Sequence, residues 1–190
     1  MRTAVPLRDA YKLLNHGPTT LVTTCEPDGS GPNVMAAAWA MPVDFDPPKV
    51  AVVVATGTRT RELLEKTGEF VLSVPTVALA TQTFQVGSVS GRDGDKWKSS
   101  GLEREPASLV RPPLVAGCVA WLECRALDEK GPLERYDLVL AEVVAAWADD
   151  SVYRGREWRW EPGDPRRTIH HMAKGVFFAI GERIEAERPR

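Results

Sequence analysis

Cysteine, histidine, net charge and long apolar runs are all scarce in this chain. Cysteine occurs three times in 190 residues, at Cys25, Cys118 and Cys124, in no spacing that a metal would use, and an odd number is not a disulfide framework. Residues 115–126 read as one strand, which sets Cys118 and Cys124 about 20 Å apart at about 3.3 Å per residue. A disulfide needs alpha carbons within about 7 Å, so the expectation is core thiols, free cysteine being among the most buried residue types. Basic side chains number 24 and acidic ones 26, so no net field draws the chain to nucleic acid or to an anionic membrane. No run approaches the roughly 18 apolar residues of a spanning helix, and the opening MRTAVPLRDAYKLL has no uninterrupted apolar h-region. These absences point to a cytoplasmic protein of one domain, residues 1–190, with a substantial core. There is no repeat, no low-complexity segment and no nucleophile–base–acid set, so the catalytic residues are left unknown.

What is present is a succession of strand signals. After a short amphipathic helix over Pro6–Leu14, Thr20 to Cys25 and Pro32 to Ala40 read as two strands joined through an Asp28-Gly29 turn. Asp46-Pro47-Pro48 breaks the chain, and Val50 to Ala55 is a buried strand. Thr60 to Thr67 reads as a helix closed by Gly68, and Glu69 to Val74 as a strand. Val77 to Phe84 is a weaker helix, and Gly87 to Trp97 is too rich in glycine, serine and charge for a regular element. In Val115 to Ala126, residues Cys118, Ala120, Leu122, Cys124 and Ala126 fall on one face, with Val119, Trp121, Glu123 and Arg125 on the other. A turn holding Gly131-Pro132 leads to a long strand over Tyr136–Trp147, and Gly175 to Ile180 is the last. Six or seven strands with inserted helices and no room for crossovers imply a mainly β, antiparallel, closed or partly closed barrel.

Two short stretches carry the chemistry. Asn33 to Trp39 reads NVMAAAW, a strand with almost no side chain on it, which lets a flat ring lie against bare backbone. Thr56 to Arg61 reads TGTRTR and opens the helix. Thr58 or Thr60 can cap it, but arginine at a helix N-terminus opposes the helix dipole. Arg59 and Arg61 together therefore suggest an anion among them, completed by hydroxyl and backbone N–H donors. A planar group joined to a phosphate describes a nucleotide cofactor.

Taken in order, Thr23-Thr24, Asp28-Gly29, Asn33 to Trp39, Asp46-Pro47-Pro48, Thr56 to Thr60, TGEFVLSVP, SGRDGDK and the closing IHHMAKGVFFAIGERI resemble the flavin reductase-like family, in its flavoredoxin branch of FMN-binding split barrels. The resemblance runs from about Pro6 to Ile184. It implies a Greek-key split barrel, a homodimer, and one FMN held noncovalently at or near the dimer interface. By this resemblance Asn33, Met35, Ala36, Ala37, Ala38 and Trp39 line the ring and ribityl chain, and Thr56, Arg59 and Thr60 hold the phosphate. Ser90, Gly91, Arg92, Asp95 and Lys96 match a loop near the cofactor and the nicotinamide side, of which Ser90, Gly91 and Lys96 are taken as cofactor-binding. Relatives that serve two-component monooxygenases carry a Gly-Asp-His element on the strand that here reads YDLVLAEVVAAW, without the histidine, which moves the chain towards flavoredoxin.

His170 and His171 are adjacent, so in an extended chain they point to opposite sides and do not form a chelating pair. No metal is expected. His171 is taken as a contact of the flavin or the interface, and Trp121, Trp147, Trp158 and Trp160 as packing in the core or between subunits. The resulting expectation is an FMN-dependent oxidoreductase with NAD(P)H or a redox partner protein as electron donor. The alternative is a flavoredoxin-like electron carrier with no substrate pocket of its own.

Overall fold

The structure is a computed structural model and describes residues 1–187. Its fourteen described strands are β1 (Arg2–Ala4), β2 (Thr20–Thr24), β3 (Asn33–Ala37), β4 (Ala40–Phe45), β5 (Pro48–Val53), β6 (Glu69–Val74), β7 (Arg104–Glu105), β8 (Leu114–Val115), β9 (Ala120–Ala126), β10 (Leu138–Asp149), β11 (Tyr153–Arg154), β12 (Glu157–Trp158), β13 (Ile169–Ala173) and β14 (Val176–Ala179). The α-helices are α1 (Arg59–Thr67), α2 (Ala80–Ser88), α3 (Lys96–Ser100) and α4 (Lys130–Tyr136), with 3-10 turns at Leu7–Leu13 and Val77–Leu79.

One antiparallel sheet organises the chain in the order β3-β2-β6-β9-β10-β5-β4, and β1 adds to β10. The two ends of that path, β3 and β4, are consecutive in sequence and separated only by Ala38 and Trp39. Two residues cannot span an open seven-strand sheet with neighbouring strands about 4.8 Å apart, so the sheet must curl until its edges meet. The result is a split barrel whose seam is the alanine run. Thr20 Oγ1 donates to the Ala37 carbonyl at 3.2 Å, and Val53 N donates to the Trp39 carbonyl at 3.0 Å, which fixes both sides of the seam.

The barrel interior is packed by Val22, Val50, Val52, Phe70, Leu72, Leu122, Cys124, Val139 and Val143, with Ala10, Leu13 and Leu14 of the first 3-10 turn against them. A second cluster outside the barrel wall joins Leu21, Val34, Val71 and Trp121 to Val86 of α2, Trp97 of α3 and Leu102, Leu114 and Val115. Strands sandwiched between the two clusters are buried on both faces, which is why residues 70–74 are apolar almost throughout.

The antiparallel barrel agrees with the sequence reading, and several local expectations do not. Pro32 to Ala40 is two strands hinged at the seam rather than one. Cys118 sits in the turn before β9, so it does not share a strand with Cys124, and it joins the outer cluster with Trp121. All three cysteines are free and buried. Glu123, read on the face opposite Leu122 and Cys124, is fully buried there: its carboxylate accepts the N–H groups of Ser108, Leu109 and Val110 and of the Trp147 ring. Gly131-Pro132 lies inside α4, and α2 runs on to Ser88. Asp149 to Arg167 contains the β11–β12 hairpin, and β13, unread in the sequence, pairs with β14. Trp158 and Trp160 stack at 4.8 Å against the inner cluster. No described helix is long and apolar enough to cross a membrane.

Candidate functional site

β3, with its small side chains, forms the floor of a groove walled by α2 on one side and by the start of α1 and the 90–96 loop on the other. Two clefts make up this groove. One, of about 260 Å³, is bounded by Thr19, Ala36, Ala38, Thr83, Phe84, Gly87, Ser88, His171, Lys174 and Phe177. The other, of about 300 Å³, is bounded by Asn33, Met35, Ala36, Gly57 to Thr60, Val86, Gly87, Val89, Ser90, Gly91 and Lys96. They share Ala36 and Gly87, which pack closely: a Cβ on Gly87 would stand 3.1 Å from Ala36 Cβ.

The second cleft gathers groups that could hold an anion. Thr58 caps α1, its hydroxyl accepting the Arg61 N–H at 3.2 Å. The first N–H groups of a helix have no partner within it, and this cap serves only that of Arg61. Those of Arg59 and Thr60 are therefore available where both residues line the cleft. Thr60 is buried, and its hydroxyl accepts the Asn33 amide at 2.8 Å. Arg59 reaches Glu26 at 2.5 Å and Glu62 at 3.3 Å, both partly exposed pairs of small worth. Arg92 latches the loop to α1 by donating to the Gly57 carbonyl and to Glu62, each at 2.6 Å.

Lys96 is the strongest feature of this end. It is 6% exposed, donates to the Val86 carbonyl at 2.7 Å, and has no carboxylate partner among the described residues. Burial lowers its pKa to about 8. A buried ammonium without a counter-ion is costly unless an anion is brought to it.

The first cleft is different in character. Its walls combine alanine, glycine and the rings of Phe84 and Phe177 with the side chains of Thr19, Thr83, Ser88 and Lys174, and the His171 ring packs edge-on against Phe177 at 5.2 Å. His171 is anchored by its N–H, which donates to Thr19 Oγ1 at 2.9 Å. His170 points away, to the Gly17 carbonyl at 2.9 Å and the His16 ring at 5.9 Å. The opposite-sides expectation for this pair therefore matches the geometry.

Of the residues singled out in sequence, Asn33, Met35, Ala36, Ala38, Arg59, Thr60, Ser90, Gly91, Lys96 and His171 converge on the groove. Three do not. Ala37 is turned into the barrel core. Trp39 is 75% exposed beyond the seam. Thr56 donates through both its N–H and its hydroxyl to Asp137 Oδ1, at 3.0 and 2.6 Å, outside the groove lining. Arg61 is also not at the anion end: it is buried against Glu65, Asp137 and the carbonyls of Val54 and Leu133. Asp95 is the cap of α3. Thr83, Phe84, Gly87, Lys174 and Phe177 were missed. Only the helical spacing of Thr83 and Gly87, one turn apart, could have suggested a shared face of α2.

Comparison with known proteins accords with this geometry. Residues 14–161 match the model of the flavin reductase like domain. The protein YddH of Escherichia coli (strain K12) is 44% identical over 183 residues, which is 96% of this chain and 96% of that protein. The structure of an FMN-binding domain of a flavin reductases-like enzyme from Shewanella baltica OS155 matches with a TM-score of 0.94 and 43% identity, covering 98% of each chain. Flavoredoxin of Desulfovibrio vulgaris (Miyazaki F) matches with a TM-score of 0.77 and 26% identity over 90% of each. The chain belongs to the flavin reductase-like family.

Proposed function

We propose that the protein binds FMN in the β3 groove and works as an oxidoreductase that takes electrons from NAD(P)H or a redox partner protein and passes them to a small-molecule acceptor. The observation that carries this reading is the change of character along one groove. Bare backbone and aromatic walls lie at one end, and a helix N-terminus with Arg59 and the uncompensated Lys96 lies at the other. A planar ring joined to a phosphate matches both ends, and the two clefts taken together exceed the roughly 300 Å³ at which ligand sites begin. Similarity to FMN-binding relatives supports the same choice.

FMN, when bound, supplies the redox chemistry; the residues of this chain supply position and charge. Ala36, Ala38 and Gly87 let a ring approach the backbone. Thr58, Arg59, Thr60, Ser90 and Lys96 hold the phosphate and neutralise it. Phe84 and Phe177 keep water from the ring end, and His171 and Lys174 stand at the rim where a donor or acceptor arrives. Homodimerisation is part of this proposal: Trp39, just before the edge strand β4, and Met41, Val43 and Phe45 on it are 51–75% exposed, an apolar row of the kind that marks interfaces. Cellular placement in the cytoplasm is likewise a proposal.

The test is the absorption spectrum of the purified protein, mass identification of what it releases, and stopped-flow mixing of the FMN-loaded form with NADH and with NADPH. A flavin band bleached by a nicotinamide supports the enzyme. A flavin band that neither donor bleaches turns the reading to an electron carrier, which the likeness to flavoredoxin favours. A colourless protein that does not quench added FMN overturns it.

A further inference from the structure

Several helical hydroxyls of this protein bond back along their own helix. Thr67 donates to the Leu63 carbonyl at 2.9 Å, Ser88 to Phe84 at 2.7 Å and Ser100 to Lys96 at 2.7 Å, each one turn back along its own helix. Thr83, in the middle of α2, does not. It is fully buried, and its hydroxyl has no partner among the described residues. A buried hydroxyl without a partner is destabilising and calls for an explanation. Thr83 lines the first cleft together with Thr19, Ser88, His171 and Lys174, and among these polar side chains its hydroxyl is the buried one that lacks a partner among the described residues.

We infer that Thr83 is a positioning residue for the flavin ring, its hydroxyl bonding a heteroatom of the ring's polar edge and so selecting which edge enters the slot. The inference rests on the proposed FMN reading. The isoalloxazine has one edge of nitrogen and oxygen atoms and one of hydrocarbon. The Thr19 and Ser88 hydroxyls of this cleft are already hydrogen-bonded within the protein, so the Thr83 hydroxyl discriminates between the two edges, because the wrong orientation leaves it unsatisfied.

Thr83→Val keeps the side-chain shape and removes the hydroxyl, and Thr83→Ser keeps the hydroxyl. The measurements are dissociation constants for FMN and for riboflavin, the visible spectrum of bound flavin, and the Tm of the flavin-free protein. Thr83→Val should weaken both flavins by about 5- to 15-fold, the worth of one hydrogen bond, and alter the visible band. It should also raise the Tm of the flavin-free protein, because a buried unsatisfied group has gone. Thr83→Ser should bind both flavins within about twofold of the parent, a margin well inside one hydrogen bond. Unchanged affinities in Thr83→Val overturn the inference, as does weakened binding with a lowered Tm, which makes the hydroxyl structural. Equal weakening by Thr83→Ser overturns it too, since the methyl group would then be responsible. Failure of the unaltered protein to bind either flavin is the separate result that overturns the FMN reading itself.

Discussion

The Asn33 amide donates to Thr60 Oγ1 at 2.8 Å, and this contact ties the first residue of β3 to the first turn of α1. Both side chains are buried. The carbonyl oxygen of the same amide lies so close to Gly91 that an added Cβ would collide with it. Asn33 therefore holds three segments of the anion end, distant in sequence, in one register.

If that register is what binds phosphate, Asn33→Ala and Thr60→Val should each weaken FMN by about tenfold, as loss of a buried hydrogen bond does. The double variant should cost less than the two together, because one contact is removed twice. Titration of flavin fluorescence in a double-mutant cycle checks this, and strict additivity would show that the contact is not coupled to binding.

Gly91→Ala should be more damaging at the site than in the fold. The new methyl meets Asn33, not the core, so FMN binding should fall by at least about tenfold, the scale of a buried hydrogen bond displaced. Meanwhile thermal unfolding of the flavin-free protein should move little. A large drop in Tm without loss of affinity would contradict this.

On the proposed reading, Arg59 meets the phosphate and not the ring. Arg59→Ala should weaken FMN by about 10- to 100-fold, the range of a charge-assisted hydrogen bond, and leave riboflavin almost unchanged. Equal losses for both would mean that Arg59 is not at the phosphate.

Lys96 predicts a pH dependence with a definite sign. Its folded pKa is lowered to about 8 by burial, below its unfolded value near 10.4. Below pH 8 it is charged in both states and its burial penalises the fold. Between pH 8 and about 10.4 the unfolded chain binds more protons, so this penalty is relieved and the stability of the flavin-free protein gains. If Lys96 meets the phosphate as proposed, FMN affinity should move the other way, falling as pH rises through about 8 with loss of the ammonium, while riboflavin affinity stays flat. Lys96→Met should remove the slope between the two ligands. A persistent slope in that variant would assign it to another group.

The exposed row on β4 predicts oligomeric state. Met41→Glu with Phe45→Glu should convert a dimer to a monomer in sedimentation, since charged side chains are depleted from buried interface cores. A dimer that survives both changes is held elsewhere.

Much of the fold could be read in the chain because its signals are local. Threonine and valine runs, the Asp28-Gly29 turn and the Gly68 stop each follow from the conformations those residues prefer. The site was legible in part for the same reason: small residues in Asn33–Ala38 and donors at Thr58–Thr60 act through the backbone near them. What misled was the side of an element on which a residue falls once the second cluster covers the barrel wall. Glu123 alternates as a surface residue should and is buried, because the 106–115 segment supplies backbone N–H donors to its carboxylate. Arg59 and Arg61 look equivalent in sequence, but a helix turn of two residues sends them to opposite sides, one to the groove and one to Asp137.

By itself, then, the sequence determined an antiparallel barrel with inserted helices and a small-residue strand followed by an anion-like helix start, since propensity, periodicity and capping act within a few residues. Only the tertiary structure decided that the alanine run is the seam of the barrel, that Lys96 is buried without a carboxylate partner among the described residues, and that the Thr83 hydroxyl is buried without a partner beside the first cleft. Each of these depends on which distant segments the curled sheet brings together, and no local preference carries that information.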